Sequence, residues 1–140
     1  MRSTDTNELA AQSSAGTDSA VQEAHGMRID AERRSDEVVL ARVTGEVDLL
    51  SAPDLRKWVR EEVATPTKLV LDLDGVDFLG SAGLSVLAEL AEKSAHNHLN
   101  WAVVASNRVV LRPLEATGLA NQMPVYSSVD EAIKGLTKDS

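Results

Sequence analysis

The stretch KLVLDLDGVDFLGSAGLSVLAELAEKSA, from Lys68 to Ala95, decides the fold of this chain. Its apolar run at 69–71 predicts a short buried strand, because branched residues suit both faces of a covered parallel sheet. The segment Asp72–Gly75 indicates that this strand ends there in a turn. Val76 and Phe78 are then expected to carry the chain back towards the core.

Ser81 stands where a helix is expected to begin, because apolar residues recur every three to four positions after it. A serine at the N-cap accepts a hydrogen bond from a free amide of the first turn, so helix capping is one interpretation. Gly80 and Gly83 favour a functional one, since bare backbone around a hydroxyl suits close approach by another molecule. A helix N-terminus also tolerates negative charge, so a phosphate on Ser81 is compatible with the fold.

Short strands and helices alternate along the rest of the chain, which predicts an α/β fold with a mixed sheet of four to five strands and about four helices. The further strands are expected at 27–34, 38–44, 99–105 and 124–126. Residues 1–26 are rich in Ser, Thr, Ala and acids and lack a sustained apolar period. We therefore expect a disordered N-terminal arm over 1–26, with at most a short helix around Ala20–Ala24, and a single domain over 27–138.

Asp48 follows the strand expected at 38–44, just as Ser81 follows the strand expected at 69–71. Ligands and partners meet an α/β sheet at the carboxyl ends of its parallel strands. If these two strand ends are adjacent, Asp48 and Ser81 lie on the same face. An aspartate in such a loop can instead bond the amides of its own turn, and both interpretations are open.

The net charge of −8 and the absence of cysteine limit the classes of function that remain. Binding of a phosphate backbone needs clustered Lys and Arg, and base stacking needs more aromatic residues than two Trp, one Tyr and one Phe. We therefore expect no nucleic-acid partner. No apolar run approaches the roughly 18 residues of a membrane span, and residues 1–20 lack the apolar stretch of a secretory signal. We expect a cytoplasmic protein with no membrane partner.

The motifs of catalysis and of metal binding are missing from the sequence. The Ser81 region lacks the G-x-S-x-G elbow, and neither the phosphate-loop nor the dinucleotide fingerprint is present, so we expect no catalytic residue and no cofactor. His96 and His98 have no further ligands at metal-binding spacing. Asp72 and Asp74 lie on one side of an extended segment and could bind Mg²⁺, but such acids are more often solvated turn residues.

Three separated motifs carry a family resemblance. They are GEVDLLSAPDLRKWV at 45–59, VDFLGSAGLSVL at 76–87, and a tail that runs from SNR at 106–108 through ATGL at 116–119 to YSSVDEAI at 126–133. In this order they resemble the anti-sigma-factor antagonists, the founding members of the STAS domain family. The resemblance implies a STAS domain over 27–138. It also implies that Ser81 is the phosphoacceptor of a partner kinase, although many members carry Asp where this chain has Gly80.

The resemblance further implies a regulatory binding protein. Its unmodified form would bind an anti-sigma factor with a GHKL-type serine kinase fold and so free a sigma factor. The partner's ATP would phosphorylate Ser81 and release the partner, and a PP2C-type phosphatase would reset the switch. The residues expected at the partner surface are Asp48, Gly80, Ser81, Ala82, Gly83 and Leu84. Two alternatives keep the fold: an unmodified STAS scaffold or sensor, and a nucleotide- or anion-binding STAS domain that uses the helix N-terminus.

Overall fold

The computed structural model describes residues 18–34, 37–63, 68–97 and 100–137. These residues form a single α/β unit with a mixed sheet, so the predicted fold class is confirmed. The elements in chain order are β1 (Asp18–Ala24), β2 (Met27–Arg33), β3 (Val38–Val47), α1 (Ala52–Val63), β4 (Lys68–Leu79), α2 (Ser81–Asn97), β5 (Trp101–Val104), α3 (Arg108–Ala116), a 3-10 turn (Leu119–Asn121), β6 (Val125–Tyr126) and α4 (Val129–Thr137).

The six strands of the described chain lie side by side in the order in which they occur in the sequence. β1, β2 and β3 form an antiparallel meander, whereas β3, β4, β5 and β6 are parallel to one another. Each parallel connection crosses over through a helix, as parallel strands require. The carboxyl ends of β3, β4 and β5 therefore lie at one edge of the sheet, which we call the carboxyl edge.

The prediction of a disordered arm over 1–26 is wrong for Asp18–Ala24, which forms β1, and the short helix considered there is absent from these residues. β1 pairs with β2 through a two-residue turn in which His25 (φ 53°) and Gly26 (φ 81°) both have left-handed backbone. Such turns match the twist of a hairpin, and β1 pairs with β2 along its whole length. β1 raises the strand count to six, and residues 1–17 and 138 lie outside the described residues.

The expected turn at Asp72–Gly75 is also wrong, because β4 runs on to Leu79. The strand absorbs extra residues as irregularities in its pairing with β3, where Arg42 lies opposite Asp72 but Thr44 opposite Gly75. A Cβ on Gly75 would lie 2.5 Å from Thr44 Cγ2, so a side chain there would have to displace the Thr44 methyl group.

The irregular pairing also changes which side chains of β4 face the core. Val76 and Leu79 are buried, whereas Phe78 is half exposed, so the prediction that Phe78 returns to the core is wrong. One register shift precedes Gly75 and a second lies between Val76 and Phe78. Each shift reverses the inward and outward alternation, so Val76 faces the core and Phe78 faces away from it.

Two apolar clusters cover the two faces of the sheet. The larger cluster joins one face to α1, α2 and α3, with Leu55, Leu87 and Val110 among its buried members. The smaller cluster lies on the opposite face under α4, where Ala132 packs near Val70. Because α1, α2 and α3 share one face, the first residues of α2 and α3 both project at the carboxyl edge.

Candidate functional site

The carboxyl ends of β3 and β4 are adjacent, and this brings Asp48 and Ser81 to the same edge. Val47 lies opposite Leu79 in the parallel ladder, and the Gly80 N–H donates to the Val47 carbonyl at 2.9 Å. Asp48 directly follows Val47, and Ser81 comes two positions after Leu79. The two strand ends are therefore adjacent, and Asp48 and Ser81 lie on the same face, as expected for adjacent strand ends.

Ser81 does not cap α2 with its side chain. The helix begins at Ser81 itself, and the carbonyl of Gly80 accepts the first helical hydrogen bond from Leu84 N–H at 3.0 Å. The Ser81 side chain is exposed and has no hydrogen-bond partner among the residues that the structure describes. Only its backbone carbonyl is engaged, accepting from the Ser85 hydroxyl at 3.1 Å. The hydroxyl is therefore not used by the fold and is accessible to another molecule.

The two glycines beside Ser81 differ in environment. Gly83 is buried, and a Cβ there would lie 2.6 Å from Val47 Cγ1 and 2.8 Å from Leu79 Cδ1. Its small size lets α2 approach the strand ends, so Gly83 packs inward rather than leaving backbone open to a partner. Gly80 is partly exposed, and a Cβ there would lie 3.0 Å from Cε2 of the Phe78 ring.

Ala82 and Leu84 are partly buried against the larger apolar cluster, so they anchor the first turn of α2 while leaving part of their surface in solvent. Of the α2 residues expected at the partner surface, Ser81 is exposed, Ala82 and Leu84 are partly buried, and Gly83 is buried. The Ser81 hydroxyl is thus presented by a first turn that is itself held by packing.

Asp48 organises the loop between β3 and α1. Its Oδ1 accepts from Leu50 N–H at 3.0 Å, from Ser51 N–H at 3.1 Å and from the Ser51 hydroxyl at 3.2 Å. The backbone hydrogen bond from Ser51 is the largest cause that lowers the pKa of Asp48, with those from Leu50 and the Ser51 hydroxyl adding to it. The carboxylate therefore stays charged, and the loop-bonding role considered for it is confirmed.

A set of exposed apolar side chains at the same edge escaped the sequence interpretation. Leu49 is 79% exposed and Leu50 64% in the loop after β3, Phe78 is 50% exposed near the end of β4, and Val109 is 43% exposed in the first turn of α3. The exposure of Leu49 and Leu50 could have been predicted from the sequence. The pair lies in the loop before α1 and outside the apolar stripe of that helix.

The carboxylates of Asp72 and Asp74 are engaged by protein groups. Asp72 lies 3.6 Å from the Arg42 guanidinium. Asp74 accepts from Ser106 N–H at 2.6 Å, from the Ser106 hydroxyl at 3.0 Å and from Asn107 N–H at 3.1 Å, and so ties the loop after β5 to β4. In the part of the chain that the structure describes, no group of three or more His, Cys, Asp or Glu side chains is arranged to hold a metal ion.

Within the described ranges, no helix is both long and apolar enough to span a membrane.

Comparison with known proteins gives a consistent class for this fold and site. The family model of the STAS domain matches residues 28–132. The anti-sigma-F factor antagonist RsfB of Mycobacterium tuberculosis is 38% identical over 100 residues, which cover 71% of this chain and 81% of RsfB. RsfA, also an anti-sigma-F factor antagonist of Mycobacterium tuberculosis, is 29% identical over 101 residues, covering 70% of this chain and 79% of RsfA.

Solved structures agree with this class. The crystal structure of an anti-sigma factor antagonist from Mycobacterium paratuberculosis superposes with a TM-score of 0.69 at 32% identity, covering 87% of this chain and 95% of that one. The anti-sigma factor antagonist SpoIIAA in its unphosphorylated form superposes with a TM-score of 0.65 over 79% of this chain and 96% of SpoIIAA. At 17% identity, that likeness concerns the fold alone.

The chain belongs to the STAS domain family, among its anti-sigma factor antagonists. Members of this group are regulatory binding proteins rather than enzymes, and this chain is one of them.

Proposed function

We propose that this protein is a phosphorylation-switched anti-sigma factor antagonist of the cytoplasm. Its unmodified form binds an anti-sigma factor and thereby frees a sigma factor, and phosphorylation of Ser81 releases the partner. The observation that carries the proposal is the exposed Ser81 hydroxyl at the start of α2, without a hydrogen-bond partner in the described structure. The name of RsfB, an antagonist of an anti-sigma-F factor, supports the class of partner.

The position of Ser81 suits a reversible modification. Phosphate at the N-terminus of a helix meets free N–H groups and the positive end of the macrodipole, so the domain stays folded when it is modified. The same phosphate adds a charge of about −1.5 to −2 to a surface that already carries Asp48 and Asp77. A partner that is bound over Ser81 would have to bury this charge, and an unpaired buried charge is strongly unfavourable.

The proposal includes the enzymes that set and reset the switch. The anti-sigma factor has a GHKL-type serine kinase fold and transfers the γ-phosphoryl group of its own ATP to the Ser81 hydroxyl. A PP2C-type phosphatase removes it. Asp48, on the adjacent strand end, and the first turn of α2 form the contact surface for the kinase.

A second candidate function follows from Gly80. Many family members carry Asp at this position, and a side chain here would have to displace the Phe78 ring. In this second candidate the chain keeps its partner surface but is never phosphorylated, and it serves as a STAS scaffold or sensor.

The test uses purified anti-sigma factors of the source organism, each incubated with the full chain and ATP. The baits are wild type, Ser81→Ala, Ser81→Asp and the control Ser85→Ala, which removes the exposed serine four residues further along α2. We expect one anti-sigma factor to bind wild type, Ser81→Ala and Ser85→Ala without ATP, and to bind Ser81→Asp more weakly. With ATP, peptide mass spectrometry should find phosphate on Ser81 in wild type and in Ser85→Ala.

The outcomes separate the two candidates. Equal binding by Ser81→Asp and wild type, with no phosphate on Ser81, contradicts the switch and leaves the unmodified scaffold. If none of the anti-sigma factors binds the wild type, both candidates are wrong as antagonists, and titration with ATP and GTP then tests the nucleotide-binding alternative at Gly80–Leu84.

A further inference from the structure

Exposed apolar residues are concentrated at one place in this molecule. Five large apolar side chains of the described chain are classed as exposed, and four of them, Leu49, Leu50, Phe78 and Val109, lie at the carboxyl edge. They come from three consecutive strand ends, because Leu49 and Leu50 follow β3, Phe78 is the penultimate residue of β4, and Val109 is in the helix after β5. We call these four residues the apolar rim. Exposed apolar residues that are gathered in one region of a surface are typical of sites that bind a partner.

Phe78 connects the apolar rim to Ser81. The Phe78 ring lies against Gly80, since a Cβ on Gly80 would be 3.0 Å from ring atom Cε2 and 3.3 Å from Cζ. Gly80 is directly followed by Ser81, so a molecule that covers the hydroxyl also meets the aromatic ring. Aromatic side chains carry a large share of the binding energy in interfaces because they bury much area with few rotatable bonds.

The charges beside the apolar rim indicate the chemistry of the partner. The segments 46–50, 77–81 and 105–109 contain three acids, Glu46, Asp48 and Asp77, and one base, Arg108. The chain as a whole has a net charge of −8. A complementary surface therefore has apolar pockets for the rim and Lys or Arg around them.

We infer that the apolar rim, with Phe78 as its central anchor, supplies most of the affinity for the anti-sigma factor, which docks on it through an apolar surface bordered by basic residues. This inference rests on the proposed function, since it names the docking surface of that partner. In this arrangement the apolar rim stabilises the complex, and phosphorylation of Ser81 destabilises it.

The test measures affinity by isothermal titration calorimetry, without ATP, against the anti-sigma factor that binds the wild type. Phe78→Ala should weaken binding by about tenfold or more, and Leu50→Ala by about fivefold. The matched control is Val21→Ala. Val21 is the fifth exposed apolar residue, 53% exposed and located on β1 at the far side of the sheet, and its change should stay within about twofold.

A second pair of variants tests whether the acids beside the apolar rim speed association with the partner. Asp77→Lys at the carboxyl edge should slow association by about threefold or more, because charges around an interface act mainly on the encounter rate. Glu92→Lys makes the same change of charge in the last part of α2 and should leave the association rate within about twofold.

Thermal melting of each variant checks that the fold is retained. If Phe78→Ala is destabilised, the affinity of Leu50→Ala is the test, because Leu50 is 64% exposed in a loop and its truncation should affect the fold less. The inference is overturned if folded Phe78→Ala and Leu50→Ala both bind within about twofold of wild type, or if Val21→Ala loses as much affinity as they do. In those cases the proposed function still stands, since wild type binds its partner; a wild type that binds no anti-sigma factor contradicts the proposed function itself.

Discussion

Of the helices that begin at the carboxyl edge, α2 and α3 differ in how their first residues are hydrogen-bonded. At the start of α3, Asn107 Oδ1 accepts from Val109 N–H at 2.7 Å, and the Asn107 amide donates to the carbonyls of Asp74 and Val76. At the start of α2, the exposed Ser81 side chain has no hydrogen-bond partner within the described residues. Both helices follow parallel strands of the same sheet, so the difference comes from side chains and not from topology.

The two helix starts differ in whether their polar side chain stabilises the helix or remains free to contact another molecule. A capped helix start uses its polar atoms for stability, and those atoms are no longer available to a partner. The start of α2 is held instead by apolar packing at Gly83, which leaves the hydroxyl of Ser81 available for chemistry. The molecule thus leaves an exposed hydroxyl at a helix start that is held by packing, as the phosphorylation proposed for Ser81 requires.

The largest expected effect comes from breaking the start of α3. Asp74→Ala removes the acceptor of three hydrogen bonds from Ser106 and Asn107. Hydrogen bonds to a charged group are individually worth about 1.5–3 kcal/mol, and partial exposure reduces the sum, so we expect a loss of about 2–3 kcal/mol in the free energy of unfolding. Urea denaturation measures it. The control Asp77→Ala removes an exposed acid three residues away and should change stability by less than about 0.5 kcal/mol; equal losses would contradict the prediction.

The next effect concerns the packing that holds α2. In Gly83→Ala the new methyl group meets Val47 Cγ1 and Leu79 Cδ1 below van der Waals distance. Overpacking outweighs the gain of about 0.5–1 kcal/mol that alanine brings to a helix, so we expect a net loss of about 1–2 kcal/mol. A thermal midpoint that stays the same or rises in Gly83→Ala would show that α2 is not pressed against the strand ends.

A smaller effect compares the two helix starts directly. Asn107→Ala loses the capping bond and the two bonds that its amide donates to carbonyls of β4, and should cost about 1 kcal/mol or somewhat more. Ser81→Ala loses none and should stay within about 0.5 kcal/mol. Chemical denaturation of both variants under one set of conditions gives the difference. A cost at Ser81 as large as that at Asn107 would mean that the Ser81 hydroxyl caps α2 after all.

The smallest effect is the dependence on pH at a third helix start, that of α1, where hydrogen bonds lower the pKa of Asp48 below its ordinary value of 3.8. A group whose pKa is depressed in the folded state stabilises the fold fully above the unfolded pKa, and loses this contribution as the pH falls through the folded pKa. Asp48→Asn should therefore be less stable than wild type near neutral pH, and the gap should narrow below the ordinary pKa. Urea midpoints at a series of pH values would show a constant gap if Asp48 made no such contribution.

The sequence predicted the features that depend on local pattern. The apolar period after Ser81 located α2, and the parallel arrangement placed Asp48 and Ser81 at neighbouring strand ends. Both inferences need only the alternation of apolar residues and a general property of α/β sheets.

Features that depend on irregular pairing or on distant residues could not be predicted. The buried positions of β4 run from Leu71 and Leu73 to Val76 and Leu79, so a simple alternation with period two does not describe the strand. The second register shift places Val76 inward and Phe78 outward although they are two positions apart. β1 has few apolar residues, so an argument from composition and apolar period does not detect it. The bond between Asp74 and Ser106 joins residues 32 positions apart.

The order of the strands has a consequence for how the chain acquires its structure. Every strand of the described sheet pairs with the strand that precedes or follows it in the sequence, so no strand has to be inserted between two that already pair. Loop-closure entropy grows with the length of chain between partners, and neighbouring pairings keep that length short. As the chain leaves the ribosome, each new parallel strand meets an edge that is already present. The strand order therefore allows the sheet to grow in the direction of synthesis.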